Sequence, residues 1–147
     1  SIKDAVQEVL DIYAREVMGI PQKPYVTQSL SLICNYNVCT HGHSHSNSIL
    51  SGSLYYCELP SPPAGMIFTR HVTYQQIDLA PDSDRRNVYN SPITRVLPKQ
   101  NDVILFSSRL THMVDPNTSS QPRHAIAFNT FVKGKLGRYR DVSELAL

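Results

Sequence analysis

At 147 residues, with 41% apolar and 18% charged residues and a formal charge of +2, the chain has the composition of one globular domain with a real core. No apolar run approaches the roughly 18 residues of a membrane span, and so small a net charge excludes the broad basic footprint of a nucleic-acid binder. The short basic cluster Lys133, Lys135, Arg138 and Arg140 reads as a solvated tail, and three cysteines without a C-x-x-C pair or a leader-like segment point to a reducing, cytoplasmic setting.

In residues 2–18, Ile2, Val6, Val9, Leu10, Tyr13 and Val17 recur at three- and four-residue steps with polar residues between them. That spacing predicts one amphipathic helix, stopped by Gly19 and Pro21. From Tyr25 the pattern becomes β-prone. Runs at Tyr25 to Val38, Ile49 to Leu59, Met66 to Thr73, Ile93 to Leu97, Asp102 to Phe106 and His124 to Val132 are separated by turn-rich stretches. The polar, proline-flanked segment from Ala80 to Pro92 reads as a long surface loop and a candidate lid. Short strands after one helix, without alternating helices or repeats, favour an antiparallel sandwich or barrel.

Three of the six histidines fall in the run His41-Gly42-His43-Ser44-His45. In extended chain, side chains two apart share a face, so such a pair can bring two imidazoles to one ion. By spacing alone, His41 competes with His45 for the partnership with His43. The bland alternative is a polar turn or an adventitious surface site. A third ligand is available from His112, where the buried run Asp102 to Phe106 leads into a turn. Three histidines on one side of an ion leave its other positions open for chemistry. Arg123 opens the last long strand, and an arginine facing the interior there needs an anionic partner, for which its planar fork suits a carboxylate. On an exposed face it is merely an ion-pairing residue.

The segments from His43 to Tyr56, Asn101 to Ser108, His112 to Val114 and Arg123 to Asn129, in that order and spacing, resemble the 2-oxoglutarate/Fe(II)-dependent oxygenases, especially small phage and bacterial members near the prolyl-hydroxylase branch. The resemblance covers about Tyr25 to Gly137. It implies a double-stranded β-helix (jelly-roll) barrel with an N-terminal helix, one domain over 1–147 with the helix in 1–20 and the β core in 25–137. It implies iron(II), 2-oxoglutarate and dioxygen as cofactors, and hydroxylation of a peptide or small molecule with release of succinate. By resemblance His43 and His45 occupy the H-x-D/E positions and His112 that of the distal histidine. Arg123 matches the residue that grips the far carboxylate of 2-oxoglutarate. Tyr56 matches a tyrosine that assists it, and Tyr36 is a second candidate; either also fits as an ordinary core aromatic.

One departure stands out: His45 lies where the superfamily usually has a carboxylate. A third neutral imidazole leaves the site one positive unit higher, favouring a dianionic cosubstrate. Asp115 and Glu58 are the other carboxylates considered, and Asn129 has no assigned role. Two further readings compete: a cupin-type three-histidine dioxygenase or isomerase, and a non-catalytic β domain holding zinc.

Overall fold

The amphipathic stripe at the N-terminus folds as expected, but not as one uniform helix. In the computed structural model, which describes residues 1–70, 81–141 and 143–147, α1 (Ile2–Ile12) continues as a π-helical segment, Tyr13–Met18. Gly19 closes it at φ 63°, a left-handed value that glycine adopts without steric cost. Val6 and Leu10, one turn apart, are buried against Leu50 and Phe128. Each such burial contributes about 2 kcal/mol.

Eight strands then form two antiparallel sheets. The first holds β1 (Tyr25–Cys34), β3 (Leu50–Leu54), β6 (Val103–Ser107) and β8 (Arg123–Phe131), in the order β1-β8-β3-β6. The second holds β2 (Thr40–His43), β4 (Met66–Thr69), β5 (Ile93–Val96) and β7 (Thr111–Val114), in the order β2-β7-β4-β5. The chain crosses between the sheets as it winds, which is the double-stranded β-helix, or jelly roll. The two sheets are packed rather than closed into a barrel: among the described residues no strand pair joins one to the other. A small ribbon of β9 (Lys135–Leu136) and β10 (Leu145–Ala146) follows. It gives the basic tail some structure, with Lys135 bridging Glu144 at 3.2 Å and the Lys133 ammonium 5.1 Å from the Tyr25 ring centroid. No described helix is long and apolar enough to cross a membrane.

The two faces of the first sheet differ sharply. Leu50 and Leu54, alternating with Ser51 and Ser53, pack with Val6 and Leu10 of the helix. Ser51, Ser53 and Tyr55 therefore point the other way, toward the second sheet. Phe106, the register partner of Ser51, confirms that direction by packing with Met66 and Val114 of the second sheet. Gly52, on the helix side, is close-packed: a Cβ there would meet the Phe128 ring and lie 2.8 Å from a Leu105 methyl.

Two strands depart from the expected pattern. The histidine run was expected as extended chain at a strand end and the His112 stretch as a turn, yet β2 and β7 pair with each other as strands. Thr-His-Gly-His has little intrinsic β preference, and its pairing comes from β7, distant in sequence. The Tyr25 to Val38 and Ile49 to Leu59 runs end early, at Cys34 and Leu54. Residues 71–73 of the third run and Ala80 at the head of the long loop lie outside the described residues. From the end of β4, Arg70 donates to the carbonyls of Tyr89 and Val88 at 2.8 and 3.1 Å, tying the loop to the sheet.

Candidate metal centre

The β2–β7 ladder sets the first two imidazoles. His43 and His112 are register partners, and Phe68 pairs with His112 from the other side of β7. His112 is buried, as the inward member of β7. His45 follows β2 in the loop before β3 and brings the third ring in, with centroids 4.9 Å from His43 and 5.1 Å from His112. The nearest ligand nitrogens of His43, His45 and His112 all lie within 4.8 Å of one another, a spacing that one ion can bridge.

The hydrogen bonds of the rings fit metal binding. His43 Nδ1 lies 2.8 Å from the His41 carbonyl oxygen, and His112 Nδ1 lies 3.0 Å from that of Leu110. A carbonyl only accepts, so each Nδ1 carries the proton and each Nε2 keeps a lone pair for a ligand. Burial, with repulsion from His43 second, holds His45 below the ordinary imidazole pKa. His112 is lowered chiefly by burial, against the opposing pull of the Leu110 carbonyl, with further lowering from His43 and His45. Neutral rings are the form that binds a metal. Phe106 packs on His112 at 4.5 Å between centroids and Phe68 packs on Phe106 at 5.0 Å, a dry backing for the ligand.

On the same inner face of the first sheet lies an incomplete cation site. Arg123 is only 2% exposed, and its Nε and Nη1 have no hydrogen-bond partner among the described residues. Its nearest described neighbours are the Cys34 thiol, 3.7 Å from Nη2, and the Tyr55 ring, whose centroid is 5.6 Å from the guanidinium carbon. The Tyr55 hydroxyl, beside Ser53 and Arg123, is likewise buried without a well-formed hydrogen bond among the described residues. Burial raises the Tyr55 pKa, opposed by the charge of Arg123, so the phenol keeps its proton and remains a donor. Three orphaned donors, two of them on one charged guanidinium, have the chemistry of a carboxylate cradle.

The other sequence-predicted residues fall as follows. His41 is exposed and meets the His43 ring through its carbonyl, while the histidines whose ligand atoms cluster are His43, His45 and His112. Tyr36 and Tyr56 are exposed, at 67% and 38%. The tyrosine beside Arg123 is Tyr55, one residue from the one singled out. Period-two alternation through Ser51, Ser53 and Tyr55 carried the signal that separates it from Tyr56. Asp115 is engaged by Arg95 and by the Gly65 amide, and Glu58 is exposed, so neither joins the histidines.

Comparison with known proteins agrees with this geometry. A family model described as "Putative 2OG-Fe(II) oxygenase" matches residues 29–129, well over half of the chain. No curated protein matches. Among solved structures, the non-heme alpha-ketoglutarate-dependent carbocyclase SnoK from nogalamycin biosynthesis superposes with a TM-score of 0.63 at 20% identity, over 92% of this chain and 59% of that one. The epimerase SnoN, in complex with Fe3+, alpha-ketoglutarate and nogalamycin RO, gives 0.63 at 15%, over 88% and 57%. The non-heme monooxygenase ThoJ, as its nickel complex, gives 0.58 at 13%, over 84% and 49%. Identities this low establish a shared fold, and the chain spans less than two-thirds of each of these proteins. The match across residues 29–129 goes further: the chain belongs to the 2OG-Fe(II) oxygenase family.

Proposed function

We propose that residues 1–147 form a single 2-oxoglutarate- and iron(II)-dependent dioxygenase domain that hydroxylates a peptide or small molecule while 2-oxoglutarate is converted to succinate. The observation that carries this reading is Arg123: a buried guanidinium with two unpartnered nitrogens, opening on the same inter-sheet space as three clustered imidazoles. An unpaired buried cation costs several kcal/mol, which an anionic ligand offsets.

In this reading His43 and His112 would hold the metal through Nε2 lone pairs, with His45 as the third imidazole. Bound iron(II), with 2-oxoglutarate, supplies the activation of dioxygen that side chains alone do not perform. Arg123 would donate from the unpartnered side of its guanidinium to the far carboxylate, and the Tyr55 hydroxyl would donate to the same group. Three neutral imidazoles leave the metal's charge uncompensated, which strengthens attraction for a dianion. Phe106 and Phe68 keep water from the back of His112, so the ligand geometry is set in a dry environment.

The three-histidine donor set also suits a cupin-type dioxygenase, but that reading leaves the orphaned Arg123 unexplained. Anaerobically iron-loaded protein, given 2-oxoglutarate and then air, is expected to release succinate, and Arg123→Ala to release none. Iron-loaded protein that binds metal yet forms no succinate, with or without a substrate library, would sink the oxygenase reading in favour of the cupin-type one.

A further inference from the structure

β2 ends at His43 and β3 begins at Leu50, so no sheet ladder holds the segment that carries His45. Its anchor is Ser108, in the turn between β6 and β7. The His45 amide donates to the Ser108 carbonyl at 2.8 Å, and the Ser108 amide donates to the Ile49 carbonyl at 3.1 Å. Both bonds bind the two ends of the histidine segment to one residue. The same turn carries Leu110, whose carbonyl fixes the ring of His112.

The Ser108 side chain is fully buried, and its hydroxyl lies 2.7 Å from Ser48 Oγ and 2.9 Å from Ser51 Oγ. Ser51 in turn donates to Asn129 Oδ1 at 2.7 Å. A hydroxyl has one proton: with Ser51 donating to Asn129, Ser108 is the donor toward Ser51, while Ser48 has Ser108 and the Leu50 and Thr130 carbonyls, each of the two at 3.1 Å, as acceptors for its own. The Thr130 amide feeds its start by donating to Ser48 Oγ at 3.3 Å. An apolar core would be simpler to build here. A fully satisfied polar chain instead fixes one register between the segments it joins.

Resting on the three-histidine metal reading, we propose that Ser108 is a positioning residue for the metal centre. Its hydroxyl and backbone clamp the His45 segment to the turn that delivers His112, and so set the spacing of those two imidazoles. Removing the hydroxyl takes the donor from Ser51 and breaks the side-chain link from Ser48 to the β6–β7 turn, and lets the His45 loop shift against β7. Outer groups of this kind change metal affinity by about 10- to 100-fold.

Cobalt(II) titration of the full chain, followed by its visible absorption, tests the proposal. The variants are Ser108→Ala, Ser48→Ala, His112→Ala and, as a control of stability alone, Val6→Ala on the far side of the sheet. The expected result is a Kd at least about tenfold weaker in Ser108→Ala with an altered band shape. Ser48→Ala moves the same way but less, and reads the effect if Ser108→Ala does not fold. Val6→Ala keeps the wild-type Kd and spectrum even though it unfolds more easily. Cobalt affinity and spectrum in Ser108→Ala or Ser48→Ala that match Val6→Ala would overturn the positioning role alone. Wild type that binds no cobalt, or His112→Ala that binds as tightly as wild type, would overturn the metal centre itself and this role with it.

Discussion

His43 and His112 are register partners across the β2–β7 ladder, with ring centroids 4.4 Å apart. A slip of one residue would turn one of them off the inner face, so the sheet that specifies the core also specifies the first two ligand positions. His45 obeys no ladder and depends on the β6–β7 turn. The candidate metal centre is thus part sheet and part loop, and the loop part is where substitution changes chemistry with least damage to the fold.

His45→Asp restores the carboxylate more usual at this position and lowers the charge of the site by one. The metal is expected to stay bound, while affinity for 2-oxoglutarate falls by on the order of tenfold, as expected for one unit of charge at close range in a partly screened site. Paired titrations of metal and then 2-oxoglutarate check both halves. Unchanged or tighter 2-oxoglutarate binding would refute the charge argument.

Arg123→Met removes a buried cation that lacks a carboxylate and keeps a similar volume. Metal- and cosubstrate-free protein is expected to gain stability, by about 1–4 kcal/mol on the scale of buried ionic groups replaced by apolar ones. Urea unfolding reads this as a higher midpoint at constant slope. A loss of stability would mean that Arg123 serves the fold rather than a ligand.

Tyr55→Phe deletes a hydroxyl that makes no well-formed hydrogen bond among the described residues. Stability should therefore hold or rise by up to about 1 kcal/mol, while the 2-oxoglutarate Kd weakens roughly three- to tenfold, the value of one hydrogen bond. The exposed Tyr56→Phe should do neither. Calorimetry on both variants separates the two tyrosines.

The two depressed imidazoles set a pH dependence for the metal-free protein. His45 and His112 titrate below the ordinary value of 6.5 when folded, because burial disfavours their charged forms, and near 6.5 when unfolded. As pH falls below about 6.5 the unfolded chain takes up protons first, so unfolding becomes easier. Stability should decline from about pH 7 toward the depressed values and level off below them, with metal affinity declining in the same direction. His112→Ala should flatten the stability profile in urea unfolding across that range, and an unflattened profile would remove these groups as its cause.

Much of this was legible in the sequence. Spacing exposed the N-terminal helix, and His43, His45, His112 and Arg123 fall together on the inner side of the sandwich because alternation in strands is a local property. Alternation alone left His41 and His45 level; the bulge in β2 and the Ser108 anchor, both products of distant chain, turn His45 inward. β2 and β7 were not legible for the same reason, as four-residue strands owe their existence to partners. Tyr56 rather than Tyr55 was singled out because that match rested on resemblance, whereas the alternation through Ser51 and Ser53 turns Tyr55 inward.

Calorimetric titration of 2-oxoglutarate into anaerobic, iron(II)-loaded protein joins both halves of the site in one measurement. Wild type is expected to bind, with binding abolished in His112→Ala, in Arg123→Met and in the metal-free protein. Binding that survives loss of Arg123 and of the metal, or none at all in iron-loaded wild type, would contradict a three-histidine iron centre served by a buried arginine anchor.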